Sequence, residues 1–183
     1  MIIEKTTLEG VFIIKSSAIR DIRGSFERFF CDEALSPVLC GRSIKQINHS
    51  INAEQGVIRG LHYQRPPQAE MKLIRCLKGR VWDVAVDLRK GSNTFLQWFA
   101  RELTADNSEM MVMPEGVAHG FQTLEPDSHL LYLHTAPYSP SLEGAVAWND
   151  PLLSIDWPQV ILSLSERDKK HEFLTEGFEG VLC

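Results

Sequence analysis

Within Arg59-Gly60-Leu61-His62-Tyr63-Gln64, followed by Pro66-Pro67 and Lys72, the chain gathers a guanidinium, an imidazole and an ammonium. An unperturbed imidazole titrates near pH ~6.5 and so can accept a proton at working pH. An ammonium facing the same space stabilises an oxyanion. Together they are what proton abstraction beside a carbonyl requires: a base for the C–H and a cation for the enolate oxygen. A lone histidine on a strand is more often a hydrogen-bonded structural residue, and an imidazole base needs an orienting acceptor. Asp168, distant in sequence, is one candidate. A lysine at an inward strand position is costly unless it faces an anion; on the outward parity it is simply solvated. Tyr132 is an ordinary core tyrosine unless it lies across a cavity from His62, where its phenol becomes the acid.

These residues need strands to aim them. Short apolar runs punctuated by turn residues predict an all-β domain. Strands are expected at Thr6–Lys15, Ser25–Phe30, Lys45–Ser50, Val57–Gln64, Lys72–Leu77, Arg80–Asp87, Leu96–Leu103, Met110–Met113, Gly120–Leu124 and His129–Thr135. A short helix is expected over Asp32–Val38, and the polar tail from Ser163 has helical character. That many short strands imply a jelly-roll barrel or sandwich with a central cavity, formed by one domain spanning 1–183. Side-chain alternation puts His62 with Gly60 and Gln64, and Arg59 on the other face with Leu61 and Tyr63. It puts Lys72 with Ile74 and Cys76, and Tyr132 with Leu130 and His134.

Composition narrows the partners. The 183 residues carry a net charge of -5, which argues against nucleic acid but permits a local positive pocket for a small anion. No apolar run approaches the ~20 residues of a membrane span, and the amino terminus lacks the pattern of a secretory signal. Cys31, Cys40, Cys76 and Cys183 have no CxxC spacing and read as free thiols in a reducing cytoplasm.

Pro114-Glu115-Gly116-Val117-Ala118-His119 resembles the second half-motif of the cupins, in which Pro-x-Gly-x-x-His aims a histidine into the barrel. The first half-motif of metal-binding cupins supplies His-x-His and a glutamate. Here the matching segment has only His62, so no metal is expected, and His119 reads as a ligand contact or a structural residue. More broadly, the chain closely resembles the dTDP-4-dehydrorhamnose 3,5-epimerase family from about Ile3 to Asp168. The resemblance rests on ordered blocks: Asp21-x-Arg23-Gly24-x-Phe26, Gln46-x-Asn48-His49-Ser50, Arg59 to Gln64, Lys72 to Cys76, Asp83 to Arg89, Pro114 to Phe121, Tyr138-Ser139-Pro140 and Trp148-Asn149-Asp150-Pro151. It implies a cupin jelly roll, usually a homodimer, that needs no metal or organic cofactor and acts on a nucleotide-diphosphate 4-keto-6-deoxy sugar. It matches His62 to the base, Tyr132 to the acid on the other face, and Asp168 to the base's partner. Arg23, Gln46, Asn48 and Arg59 match diphosphate and nucleotide contacts. Lys72 and His119 match residues beside the sugar, and Tyr138 and Glu143 match further binding positions.

Three departures from the family pattern stand out. Arg28 occupies a position that is commonly glutamate, which would make the pocket more positive. The common Ala-Gln-Gly-Lys becomes Ala69-Glu70-Met71-Lys72, and His134 stands where small residues are usual. His134 is either a second proton carrier or a space-filling group, and the latter is the expectation. The expected activity is epimerisation at C3 and C5 through an enolate. The competitors are a single-centre epimerase, a metal-dependent cupin enzyme and a non-catalytic sugar-nucleotide binding barrel.

Overall fold

The computed structural model of the protein describes residues 1–183. The alternating runs become thirteen strands: β1 (Ile2–Lys5), β2 (Phe12–Lys15), β3 (Ile19–Asp21), β4 (Gly24–Phe26), β5 (Gln46–Asn52), β6 (Ile58–Gln64), β7 (Lys72–Lys78), β8 (Arg80–Asp87), β9 (Trp98–Thr104), β10 (Glu109–Met113), β11 (Val117–Thr123), β12 (Ser128–His134) and β13 (Glu143–Ala145). One helix, α1 (Asp32–Leu39), follows β4. A six-stranded sheet has the order β1-β2-β10-β7-β12-β5, and a five-stranded sheet has the order β13-β6-β11-β8-β9. The architecture is a cupin-like jelly roll in sandwich form, without a closed barrel. β3 and β4 make a separate hairpin.

Strand alternation sorts the side chains into layers. Ile13, Ile74, Cys76, Met111, Met113 and Leu130 from the larger sheet meet Val81, Ala85, Leu103, Val117 and Phe121 from the smaller one, forming the central core. The alternate residues of the larger sheet, among them Ile14, Leu73, Met110, Val112 and Leu133, face outward under Leu35, Val38 and Leu39 of α1. The outer face of the smaller sheet presents Leu61, Val84 and Val86, with Trp82 and Trp98. It is covered by the C-terminal segment through Leu174, Phe178 and Val181. Burying both outer faces leaves the space between the sheets as the place where polar residues can share a cavity.

Three expected elements differ. The strand Thr6–Lys15 is interrupted, because Thr6 Oγ1 donates to the Val11 carbonyl at 3.0 Å and accepts from the Leu8 amide at 3.2 Å, closing a turn before β2. The strand Ser25–Phe30 stops at Phe26, because the next residue, Glu27, turns inward to accept from Ser16 and from Arg75, each at 2.5 Å. The tail is not helical beyond a single 3-10 turn at Asp168–Lys170; its apolar residues are spent on the outer face of the smaller sheet. All four cysteines are free thiols.

Candidate active site

Two adjoining cavities of about 540 and 250 Å³ open between the sheets, and both are lined by Arg59, His62, His119 and Tyr132. Ser165, Arg167 and Asp168 of the C-terminal segment add to the larger. Asn48, Glu70, Lys72, His134, Tyr138 and Glu143 add to the smaller. His62 comes from β6 of one sheet and Tyr132 from β12 of the other, so they approach the space from opposite sides.

Arg59 corrects the parity reading, which placed it away from His62. His119 pairs with His62, but Phe121 pairs with Arg59, so β6 carries one residue more than β11 over the same stretch. This bulge puts residues three apart on one face. Gly60 makes it possible. Its φ is +128°, and a Cβ there would lie 2.5 Å from the Gly120 Cα. Asn52 Oδ1 accepts from Arg59 Nε at 2.8 Å and holds the guanidinium toward the cavity.

Three histidines of the cavity, His62, His119 and His134, each have a carboxylate partner. His62 Nε2 donates to Asp168 Oδ1 at 2.7 Å, across 106 residues of sequence. That leaves Nδ1 as the nitrogen with the free lone pair. Burial pushes His62 below its ordinary pKa, while Asp168 pulls it partly back up. Burial alone would raise Asp168, but its bonds from His62, Ser165 and His171 outweigh that and hold it below the usual carboxylate range. His119 Nε2 donates to Asp83 Oδ1 at 2.7 Å. Asp83 is fully buried, its second oxygen has no partner, and burial pushes it up against the opposing pull of His119. On β12, Tyr132 is driven upward by burial, with Ser50 at 3.3 Å the nearest hydroxyl partner. It is therefore a protonated phenol throughout the neutral range.

Lys72 is on the inward parity: it pairs with His134 across β7 and β12, and its ammonium donates to the His62 carbonyl at 2.9 Å. Glu70 takes a second contact at 3.3 Å. His134, expected to fill space, is also hydrogen-bonded: its Nδ1 donates to the other Glu70 oxygen at 2.9 Å. At the rim, Tyr138 donates to Glu143 at 3.2 Å, and Gln46 Oε1 accepts from the Tyr138 amide at 3.0 Å. Arg167 donates to Glu143 at 2.7 Å.

Arg23 and Arg28 are not brought to this cavity by their own chain. Arg23 sits on the exposed β3–β4 hairpin, paired with Asp21. Arg28 faces solvent near Cys31, because its neighbour Glu27 is the one turned inward. Arg28 therefore adds no charge to the cavity of its own chain. Sequence reading missed Asp83, Arg167 and His171. Asp83 carried a signal, being a carboxylate on the inward parity of an apolar strand; Arg167 and His171 carried none beyond their nearness to Asp168.

The donor atoms of His62, Asp168 and His171 lie within 4.8 Å of one another, the one grouping with metal-ligand character. His171 Nε2 donates to the same Asp168 oxygen at 3.1 Å, and Arg167 Nη2 stands 3.3 Å from His62 Nε2. A fixed positive charge thus already occupies the approach to these donors. Both imidazoles donate to the one Asp168 oxygen, with the Arg167 guanidinium beside them.

Comparison with known proteins agrees in family and fold. The family described as dTDP-4-dehydrorhamnose 3,5-epimerase matches residues 5–176. A dTDP-4-dehydrorhamnose 3,5-epimerase of Salmonella typhimurium is 43% identical over 180 residues, 97% of each chain. A solved dTDP-6-deoxy-D-glucose-3,5-epimerase from Legionella pneumophila, in complex with dTDP-4-keto-L-rhamnose, is similar with a TM-score of 0.88 and 36% identity over 93% of this chain and 91% of that one. A 3'-monoepimerase from Streptomyces bikiniensis in complex with dTDP-quinovose has a TM-score of 0.86 and 30% identity over 93% of this chain and 86% of that one.

Proposed function

The chain belongs to the dTDP-4-dehydrorhamnose 3,5-epimerase family, and from that premise we propose that it inverts C3 and C5 of dTDP-4-keto-6-deoxyglucose. The observation that carries the proposal is the pairing of an oriented base with an acid on opposite walls of one cavity: His62 on one sheet, held by Asp168 of the C-terminal segment, and Tyr132 on the other. A binding barrel needs neither.

The C4 ketone acidifies the protons at C3 and C5. His62 Nδ1 takes one of them, and the C–H electron pair moves through the new C=C to the C4 oxygen. The Lys72 ammonium stabilises that oxyanion. The Tyr132 phenol then gives its proton to the same carbon from the other face, and the centre is inverted. Imidazolium and phenolate return to their starting states by proton exchange with water. Each positioned proton-transfer group contributes about 10²–10⁴-fold. Arg59 and Asn48, with Gln46 holding Tyr138, form the nucleotide and diphosphate end. His119, fixed by Asp83, borders the sugar.

The active unit in this reading is a cytoplasmic homodimer. Arg23 stands on an exposed hairpin, outside its own cavity, so it serves a nucleotide only in the site of a second copy. No helix is long and apolar enough to cross a membrane.

The test is solvent exchange. The protein is incubated with dTDP-4-keto-6-deoxyglucose in D₂O, and the sugar protons are followed by NMR. Deuterium at both C3 and C5 is expected. Deuterium at one carbon marks a single-centre epimerase, and none at either, with the protein folded, overturns the proposal. His62→Ala should abolish exchange while leaving substrate binding largely intact; normal turnover in that variant would remove His62 from the mechanism.

A further inference from the structure

The lysine end of the cavity holds a polar chain that the reaction above leaves unexplained. The Asn48 amide lies 3.4 Å from His134 Nε2, His134 Nδ1 donates to Glu70 at 2.9 Å, and the other Glu70 oxygen meets the Lys72 ammonium at 3.3 Å. The side chains of Lys72, Glu70 and His134 are only 9%, 8% and 11% exposed. Glu70 and His134 are also two of the positions at which the sequence departs from its family's pattern, glutamine and a small residue being usual. The two unusual side chains are hydrogen-bonded to each other, 64 residues apart in sequence.

A small residue at 134 would leave room for water beside Lys72. An imidazole fills that room and strips solvent from the ammonium. A buried ammonium without a counter-charge gives up its proton, and a neutral amine is a poor stabiliser of an enolate. A carboxylate at 70 restores the counter-charge where a neutral amide would not. It also fixes geometry. The His62 carbonyl accepts one ammonium N–H at 2.9 Å and the Glu70 carboxylate lies 3.3 Å away as an ion pair, so the nitrogen is held between them at the cavity wall.

We infer that Glu70 and His134 are a coupled pair of positioning residues: His134 anchors Glu70, and Glu70 keeps Lys72 charged and aimed at the developing oxyanion. This rests on the epimerase reading of the site. The titratable and charged groups lining the cavity with Lys72 are Glu70 from its own segment, His49 from β5, Arg59 and His62 from β6, His119 from β11, Tyr132 and His134 from β12, Tyr138, and Glu143 from β13. Burial pushes Lys72 down, with Glu70 and then Glu143 holding it up. Burial drives the Tyr132 phenol upward, so of these two groups Lys72 loses its proton first on the alkaline side.

The experiment compares wild type, Glu70→Gln and Glu70→Gln/His134→Cys. Initial epimerisation rates are measured across pH, and the Lys72 side chain is titrated by NMR in lysine-labelled protein. For Glu70→Gln, kcat should approach wild type on the acid side and fall by up to about tenfold on the alkaline side, with its alkaline decline starting about one pH unit earlier. KM should change little. Lys72 should lose its proton earlier by the same interval. The double variant, with solvent readmitted, should return to within about threefold of wild type, as coupled neighbours do. Three results would overturn the inference: a wild-type Lys72 already neutral at pH ~7, an equal loss of kcat at every pH, or a double variant no better than the single. If wild type turned over no substrate, the epimerase reading would fall, and the NMR titration, which needs no turnover, would still decide whether Glu70 holds the charge on Lys72.

Discussion

The two ring nitrogens of His62 have different employment, and that division is testable. Nε2 is committed to Asp168, so only Nδ1 is free to take a carbon-bound proton. Burial lowers the His62 pKa, so the neutral, reactive imidazole persists to lower pH than for an exposed histidine. The acid limb of kcat/KM, which reports the free enzyme, should therefore fall below pH ~6.5. Asp168 is what resists that lowering. Asp168→Asn removes its charge, so the acid limb should move further down in pH while the plateau falls by about 10²-fold or more, as tautomer control is lost. An unmoved limb would mean that Asp168 is not coupled to the base. At this scale the sequence was informative about identities, while Asp168 was reached as the partner of His62 only as one candidate and through the family resemblance. His62, Lys72 and Tyr132 stand out as types on plausible parities. The pairing of His62 with Asp168, and of His134 with Glu70, crosses 106 and 64 residues, and no local pattern encodes it.

Strands were the most legible elements. Arg80–Asp87 matches its expected bounds at both ends, because Val84 and Val86 alternate with Asp83, Ala85 and Asp87 and turn residues bound the run. Helix α1 was legible within one residue. The bulge in β6 was not, since alternation assumes one residue per step and a bulge breaks that count. The consequence was the misplacement of Arg59. Gly60→Ala tests the bulge directly: the added Cβ meets the backbone of Gly120 at a positive φ, so the variant should lose about 1–3 kcal/mol or more. Thermal unfolding would measure the loss, and substrate affinity should fall with it as Arg59 is displaced. A variant as stable as wild type would show that β6 can take another register. The tail misled for a different reason. Its charged run reads as a solvated helix, whereas spaced apolar residues, Leu174, Phe178 and Val181, pin it across the smaller sheet and deliver Asp168 to the cavity.

For the whole molecule, the exposed hairpin sets the expectation. Ile19, Ile22 and Phe26 lie open to solvent beside Arg23, an apolar surface that a second copy would cover. Sedimentation should give twice the 20.7 kDa of one chain, and Phe26→Asp should shift the species toward the monomer. Complementation then asks whose site Arg23 serves. If it serves the partner's, mixing Arg23→Ala with His62→Ala subunits yields mixed dimers with one intact site, and about a quarter of wild-type activity should return. No recovery on subunit exchange would place Arg23 in the site of its own chain, and an Arg23→Ala enzyme as active as wild type would place it outside the reaction. A last consequence belongs to the bulge. By turning Arg59 and His62 into one cavity only three positions apart, β6 becomes, in the proposed reaction, a ruler with the phosphate mark and the reacting-carbon mark cut on a single rigid edge. Such a gauge accepts one linker length. A 4-keto sugar carried on a single phosphate has the same acidic protons, yet its ring would fall short of the second mark, and its exchange in D₂O should be far slower than that of the diphosphate.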